Sequence, residues 1–127
     1  VMKSRENLVR LKQFQVNEKR KQLLQLDMMI AEFDRMATEL DLQINAEEKK
    51  AGITDTSHFA YPTFAKAARL RRDNLKNSQH DLQQQREAAE AAMHEAEAEL
   101  AKAEMLESRD GGRARDVETG GRSAMIG

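Results

Sequence analysis

KKAGITDTSHFAYPTF, residues 49–64, is the stretch on which the fold turns. Lys49 and Lys50 suit the negative end of a helix dipole, Gly52 suits the left-handed residue just past a helix end, and Ile53 is placed for a closing hydrophobic contact. Pro62, the only proline, fits the first turn of a following helix and pushes Tyr61 toward an extended conformation. The segment therefore reads as a helix end, a turn over 51–61 and a helix start. Two helices must flank it.

Working outward, the first helix is expected from about Ser4, as N-cap, to about Lys50. Its apolar seam runs through Val9, Val16, Leu23, Ile30, Ala37, Ile44 and Ala51 every seven residues, with Leu26, Phe33 and Leu40 between them. Lys12 and Lys19 interrupt the intervening sites, while Leu8, Leu11 and Phe14 fall off the stripe. The second helix is expected from about Pro62 to Glu107, with its seam through Leu75, Leu82, Ala89, Ala96 and Ala103, joined by Met93 and Leu100. Gln79 and Arg86 occupy the remaining in-between sites and weaken it. Large residues facing alanine allow close approach toward the free ends. Each helix comes out near 46 residues, about 69 Å at 1.5 Å per residue, and equal length suits a hairpin. From Asp110 onward the glycine-rich, aperiodic segment to residue 127 reads as a flexible, disordered tail, so the hairpin occupies 1–109.

Charge supports the reversal. Residues 1–22 carry a net of +5 and 91–112 a net of −4; residues 27–48 carry −6 and 65–86 carry +4. Folding the chain back about residues 56 and 57 sets plus against minus in both blocks. An exposed pair contributes only about 0.2–1 kcal/mol, so charge selects the orientation and does not hold the fold. A parallel pairing of two copies would set like against like. The expected fold class is therefore all-α, an antiparallel two-helix coiled-coil hairpin.

Composition narrows function. Ala, Glu, Lys, Leu and Arg make up about half the chain, as in long helices, and with five aromatics and no Trp a conventional globular core is not expected. Without Cys there are no disulfides, thiolate metal sites or Cys nucleophiles, and a reducing compartment such as the cytoplasm is the default. No apolar run approaches the roughly 18–20 residues that span a bilayer, and nothing at the N-terminus resembles a signal h-region. A net charge of −1 argues against a general nucleic-acid binder.

No catalytic constellation stands out. His94 shares a helix face with Glu90 and Glu97, but this is not the Glu-x-x-His spacing of di-iron bundles and no matching set lies on the first helix, so it reads as a solvated acidic face. His58 and His80 have no nucleophile or matched carboxylate in a motif, and no glycine-rich phosphate cradle is present. The chain reads as a non-enzyme, with no cofactor and no metal. The turn is richer. Phe59, Tyr61 and Phe64 gather directly before the basic run Lys66, Arg69, Arg71 and Arg72. Structurally these aromatics can cap the hairpin against Ile44 or Ile53; functionally, aromatics and arginine are residue types that anchor interfaces. Single-stranded nucleic acid stacking on them is a weaker alternative. At the opposite end Leu8, Leu11 and Phe14 are candidates for a second partner.

The N-terminal KSRENLVRLKQFQVNEKRKQLLQLDMMIAEFDRM (3–36), the turn EEKKAGITDTSHFAYPTFAKAARLRRDNL (47–75) and the Ala/Glu-rich second helix resemble the flagellar export protein FliJ family in its alphaproteobacterial form. The similarity covers about residues 2–107, and the turn is its most specific part. The resemblance implies a soluble, cytoplasmic component of the flagellar type III export apparatus, located peripherally at the inner-membrane basal body. It further implies a stalk-like coiled-coil hairpin that engages the hexameric export ATPase ring, the cytoplasmic domain of the export gate, and export chaperones. A generic coiled-coil scaffold or adaptor is the alternative that the same periodicity permits.

Overall fold

A computed structural model describes the backbone of residues 2–126 and the side chains of residues 4–112. It consists of α1 (Met2–Ala51) and α2 (Thr63–Ile126), with no strand among the described residues. The chain is an all-α antiparallel helical hairpin. Its packing divides into a terminal unit, residues 1–22 with 89–127, and a turn unit, residues 23–88.

In the terminal unit Val16 is fully buried and Ala96 and Ala103 nearly so, while Val9, Ala89, Met93 and Leu100 are half-buried. Small residues on α2 thus stand at the seam positions that valine takes on α1. Lys12 and Lys19, the charged interruptions of the stripe, are half-buried as well. Lys12 Nζ reaches Glu99 Oε2 at 2.8 Å, and that hydrogen bond holds the Glu99 carboxyl below its ordinary range. Arg20 meets Glu97 at 3.1 Å and Arg5 meets Asp110 at 3.0 Å. Each pair sets a base of α1 against an acid of α2.

The turn unit inverts that polarity. Asp27 pairs with Arg86, Asp41 with Arg72 at 2.9 Å and Glu48 with Arg69 at 2.8 Å, so the acids now lie on α1 and the bases on α2. Partners in both units lie at nearly equal distances either side of residues 56 and 57, as the block charges predict. Ile30, Ala37 and Ile44 on α1 and Ala65, Ala68 and Leu82 on α2 are buried; Leu23, Leu26, Phe33, Leu40 and Leu75 are half-buried. The sites that weaken the second seam are used, not wasted. Gln79 Nε2 donates to the Ile30 carbonyl at 3.4 Å, and Arg86 turns to Asp27. No buried side-chain nitrogen or oxygen among the described residues lacks a partner.

Three boundaries differ from the sequence reading. The helix begins at Met2, so Ser4 lies inside the first turn and does not cap it. Ala51, expected in the seam, is exposed, because α1 ends there and its last turn gives the buried position to Glu48, four residues after Ile44. The helical backbone of α2 continues beyond Glu107, where the Arg5–Asp110 pair ties the next turn to α1. From residue 113 on, the side chains of the expected tail lie outside the described residues.

The helix end itself follows expectation. Gly52 takes a positive φ of 69°, and the Glu48 carbonyl accepts from Gly52 N at 2.9 Å and Ile53 N at 3.2 Å. Such double acceptance satisfies a carbonyl that the helix leaves orphaned, at a backbone angle L-residues with a Cβ avoid. Pro62 stands one residue before α2, and its carbonyl accepts the first helical bond, from Lys66 N at 3.0 Å.

The seam outweighs the ion pairs, since burying one large aliphatic side chain contributes about 1.5–3 kcal/mol and an exposed pair about 0.2–1 kcal/mol. Replacing Ile44, 1% exposed, by Ala is expected to lower unfolding free energy by about 2–5 kcal/mol. Leu42→Ala, two residues away and well exposed, is expected to change it by under about 0.5 kcal/mol. Urea unfolding followed by circular dichroism measures both, and equal losses would contradict the seam.

Candidate partner-binding site

The turn unit positions its loop through one buried polar cluster. Tyr61, 7% exposed, donates its hydroxyl to Glu48 Oε2 at 2.8 Å, and Arg69 Nη2 donates to the same oxygen at 2.8 Å. Arg69 Nε donates to the Tyr61 hydroxyl at 2.7 Å, and its guanidinium lies 5.9 Å from the centre of the Tyr61 ring. The three groups close a triangle in which a carboxylate, a phenol and a guanidinium satisfy one another. Arg69 first, and then Tyr61, holds the Glu48 carboxyl below its ordinary range, while Glu48 raises Arg69 above its own.

A second set of bonds shapes the loop between the helices. Asp55 Oδ1 accepts from the Ser57 amide at 2.9 Å and the Ser57 hydroxyl at 2.7 Å, which lowers the Asp55 carboxyl below its ordinary range. Two consecutive turns follow, with His58 N donating to the Asp55 carbonyl at 3.2 Å and Tyr61 N to the His58 carbonyl at 3.0 Å. The His58 ring accepts from Ala60 N through Nδ1 at 3.0 Å, and it stacks on Phe59 with centroids 4.7 Å apart. Phe59 is 97% exposed. A large apolar ring is thereby held in water on a loop whose backbone and flanking side chains are tied down.

The candidate residues therefore separate. Tyr61, Arg69 and Arg72 turn inward: the first two form the buried cluster, and Arg72 binds Asp41 and Asp73, which raise its guanidinium above its ordinary value. Phe59, Phe64 and Lys66 remain exposed, and Arg71 is exposed beside a groove of the turn unit. The aromatics thus differ in burial: Tyr61 is part of the cap and Phe59 stands outside it. In the terminal unit Leu11 is 51% and Phe14 61% exposed, while Leu8 is half-buried. Sequence reasoning did not single out Glu48. Its sign and its place in the acidic block were legible, but its burial arises from Tyr61 closing over it.

His94 stands between two carboxylates, its Nδ1 3.3 Å from Glu97 and its Nε2 3.7 Å from Glu90. The carboxylates address opposite nitrogens of one ring and so do not converge on a common point. Among the described residues no group of three His, Asp or Glu side chains is arranged to hold a metal ion, and no helix is long and apolar enough to cross a membrane. Compared with protein-family models, curated proteins and solved structures, the chain matches none of them.

Tyr61 is the only tyrosine and Trp is absent, so intrinsic emission reports on the cluster directly. Glu48 titrates lower in the folded chain than in the unfolded one, so its contribution is complete above the ordinary carboxylate range and is lost as pH falls through its lowered value. Tyrosine emission is expected to change as pH falls below the ordinary carboxylate range, and Glu48→Gln is expected to abolish that acid transition. Tyr61→Phe should cost about 1 kcal/mol by removing the shared hydroxyl, whereas Phe59→Ala should leave the melting midpoint unmoved; the reverse order would overturn the division between inner and outer aromatics.

Proposed function

We propose that this chain is a non-enzymatic component of the bacterial flagellar type III export apparatus, a helical-hairpin stalk that escorts export chaperones and acts with the export ATPase ring and the cytoplasmic domain of the export gate. It works in the cytoplasm, peripherally at the inner-membrane basal body. The resemblance of residues 3–36 and 47–75 to the FliJ family points to this system. The structural observation that carries the reading is Phe59, almost wholly exposed on a loop braced by the buried Glu48–Tyr61–Arg69 cluster. A protein that works through its surface needs such anchors, since aromatic side chains seated in a partner's pocket supply a disproportionate share of binding energy. Each helix is about 12 Å across, a width that suits entry into the opening of a ring.

Two anchors are assigned. Phe59 of the loop, with Phe64 and Lys66 at the start of α2, meets one partner, and Leu11 and Phe14 in the terminal unit meet another. All of these side chains are exposed, so replacing them spares the seam.

Capture of the export ATPase and of the gate domain by the full chain tests the assignment. Phe59→Ala with Phe64→Ala is expected to weaken one partner at least tenfold and spare the other, and Leu11→Ala with Phe14→Ala is expected to do the converse, with helicity unchanged in both. Failure of the parent chain to capture either partner would sink the reading.

A further inference from the structure

The two flanks of the helix pair in the turn unit differ in chemistry. On α1 the residues 27, 34, 41 and 48 recur every seven positions along one shoulder of the seam, and all four are acidic: Asp27, Asp34, Asp41 and Glu48. Three of them take the ion pairs to Arg86, Arg72 and Arg69. The opposite shoulder carries Met29, Met36 and Gln43, none charged, and both methionines are exposed. Here an open groove of about 440 Å³ runs between the helices, with Met36, Leu40 and Leu75 among its lining. Glu39 of α1 and Arg71 of α2 also line it. Arg71 forms no ion pair among the described residues, and Glu39 pairs only with Arg35, on its own helix.

A groove bordered by one acid and one base on opposite helices is complementary to itself. Consider a second copy related by a two-fold axis parallel to the helices. It sets α1 of each copy beside α2 of the other, antiparallel, with Glu39 facing the other copy's Arg71 at both ends of the symmetry operation. The helix segment of net −6 (27–48) then lies on the segment of net +4 (65–86). A two-fold axis perpendicular to the helices sets −6 against −6, which charge repulsion penalises. On the ion-paired flank three of the four acids are already engaged within the chain.

We infer that the Met36 groove is the interface at which a second copy of this chain docks, making an antiparallel four-helix arrangement about a two-fold axis parallel to the helices. Methionine suits such a face, since its unbranched, polarisable side chain adapts to the surface it meets. The interface lies on the flank of the turn unit and does not rest on the assignment of partners to Phe59 or Leu11.

Sedimentation equilibrium of the full chain tests it. A reversible dimer is expected, with Met36→Lys shifting it to monomer while helicity is retained. Glu39→Arg and Arg71→Glu, each alone, place like charges at both pairing positions and are expected to raise the dimer dissociation constant at least tenfold. An equimolar mixture of those two variants restores opposite charge at both positions, so it is expected to dimerise nearly as well as the parent. A chain that stays monomeric up to millimolar concentration overturns the inference. So does a dimer indifferent to all three substitutions, or a mixture that associates no better than either variant alone.

Discussion

A seam one side chain deep is the constraint to which every other feature answers. Two helices cannot enclose a core, so apolar burial is confined to positions that alternate three and four residues apart, and each polar side chain at such a position must find a partner across the seam or beside it. For four such side chains the partner is present. Lys12 reaches Glu99, Gln79 reaches the Ile30 carbonyl, Arg72 reaches Asp41 and Arg86 reaches Asp27. These residues favour one register more than an all-leucine stripe would, because sliding one helix by a turn would part each of them from its present partner. The stability they add is small beside that of Ile44 or Val16. Their effect is on which alignment is chosen.

The reversal of charge between Lys21 and Asp27 on α1, and between Arg86 and Glu87 on α2, acts on the same choice over a longer range. Bases on α1 meet acids on α2 in the terminal unit, and acids on α1 meet bases on α2 in the turn unit. The chain division by packing, at 22/23 and 88/89, falls within two residues of these sign changes. A single sign change along each helix is enough to distinguish antiparallel from parallel neighbours, within one chain or between copies. This is why block charge, worth little per pair and screened by salt, was informative about topology.

At the loop, the same residue types do opposite jobs. Tyr61 and Phe59 are two positions apart, yet one is buried over Glu48 and the other stands in water. The difference lies in the phenol. Its hydroxyl can satisfy both a carboxylate and a guanidinium, so the ring can close over Glu48 and Arg69 without leaving a polar group unpaired, which a phenylalanine cannot do. The loop is tied by that closure and by Asp55 binding Ser57, so in the proposed partner role of Phe59 little order would remain to be imposed on binding.

The helical class, the place of the reversal, the sign of every ion pair between α1 and α2, and nearly all seam positions could be read from residue order. These are consequences of periodicity, of Gly52 and Pro62, and of summed charge, all properties of sequence neighbours. What emerged only on folding was the use to which individual polar side chains are put. Glu48 is a buried acceptor, Arg69 and Arg72 are structural bases rather than part of a free basic patch, and Ala51 is exposed where the stripe would bury it. The neutral Met36 flank likewise comes into view only with the groove between the helices. The reason is common to all of them: burial and pairing depend on which atoms of the other helix arrive within about 3 Å, and that distance is set by the packed pair of helices together, not by either strand of sequence alone.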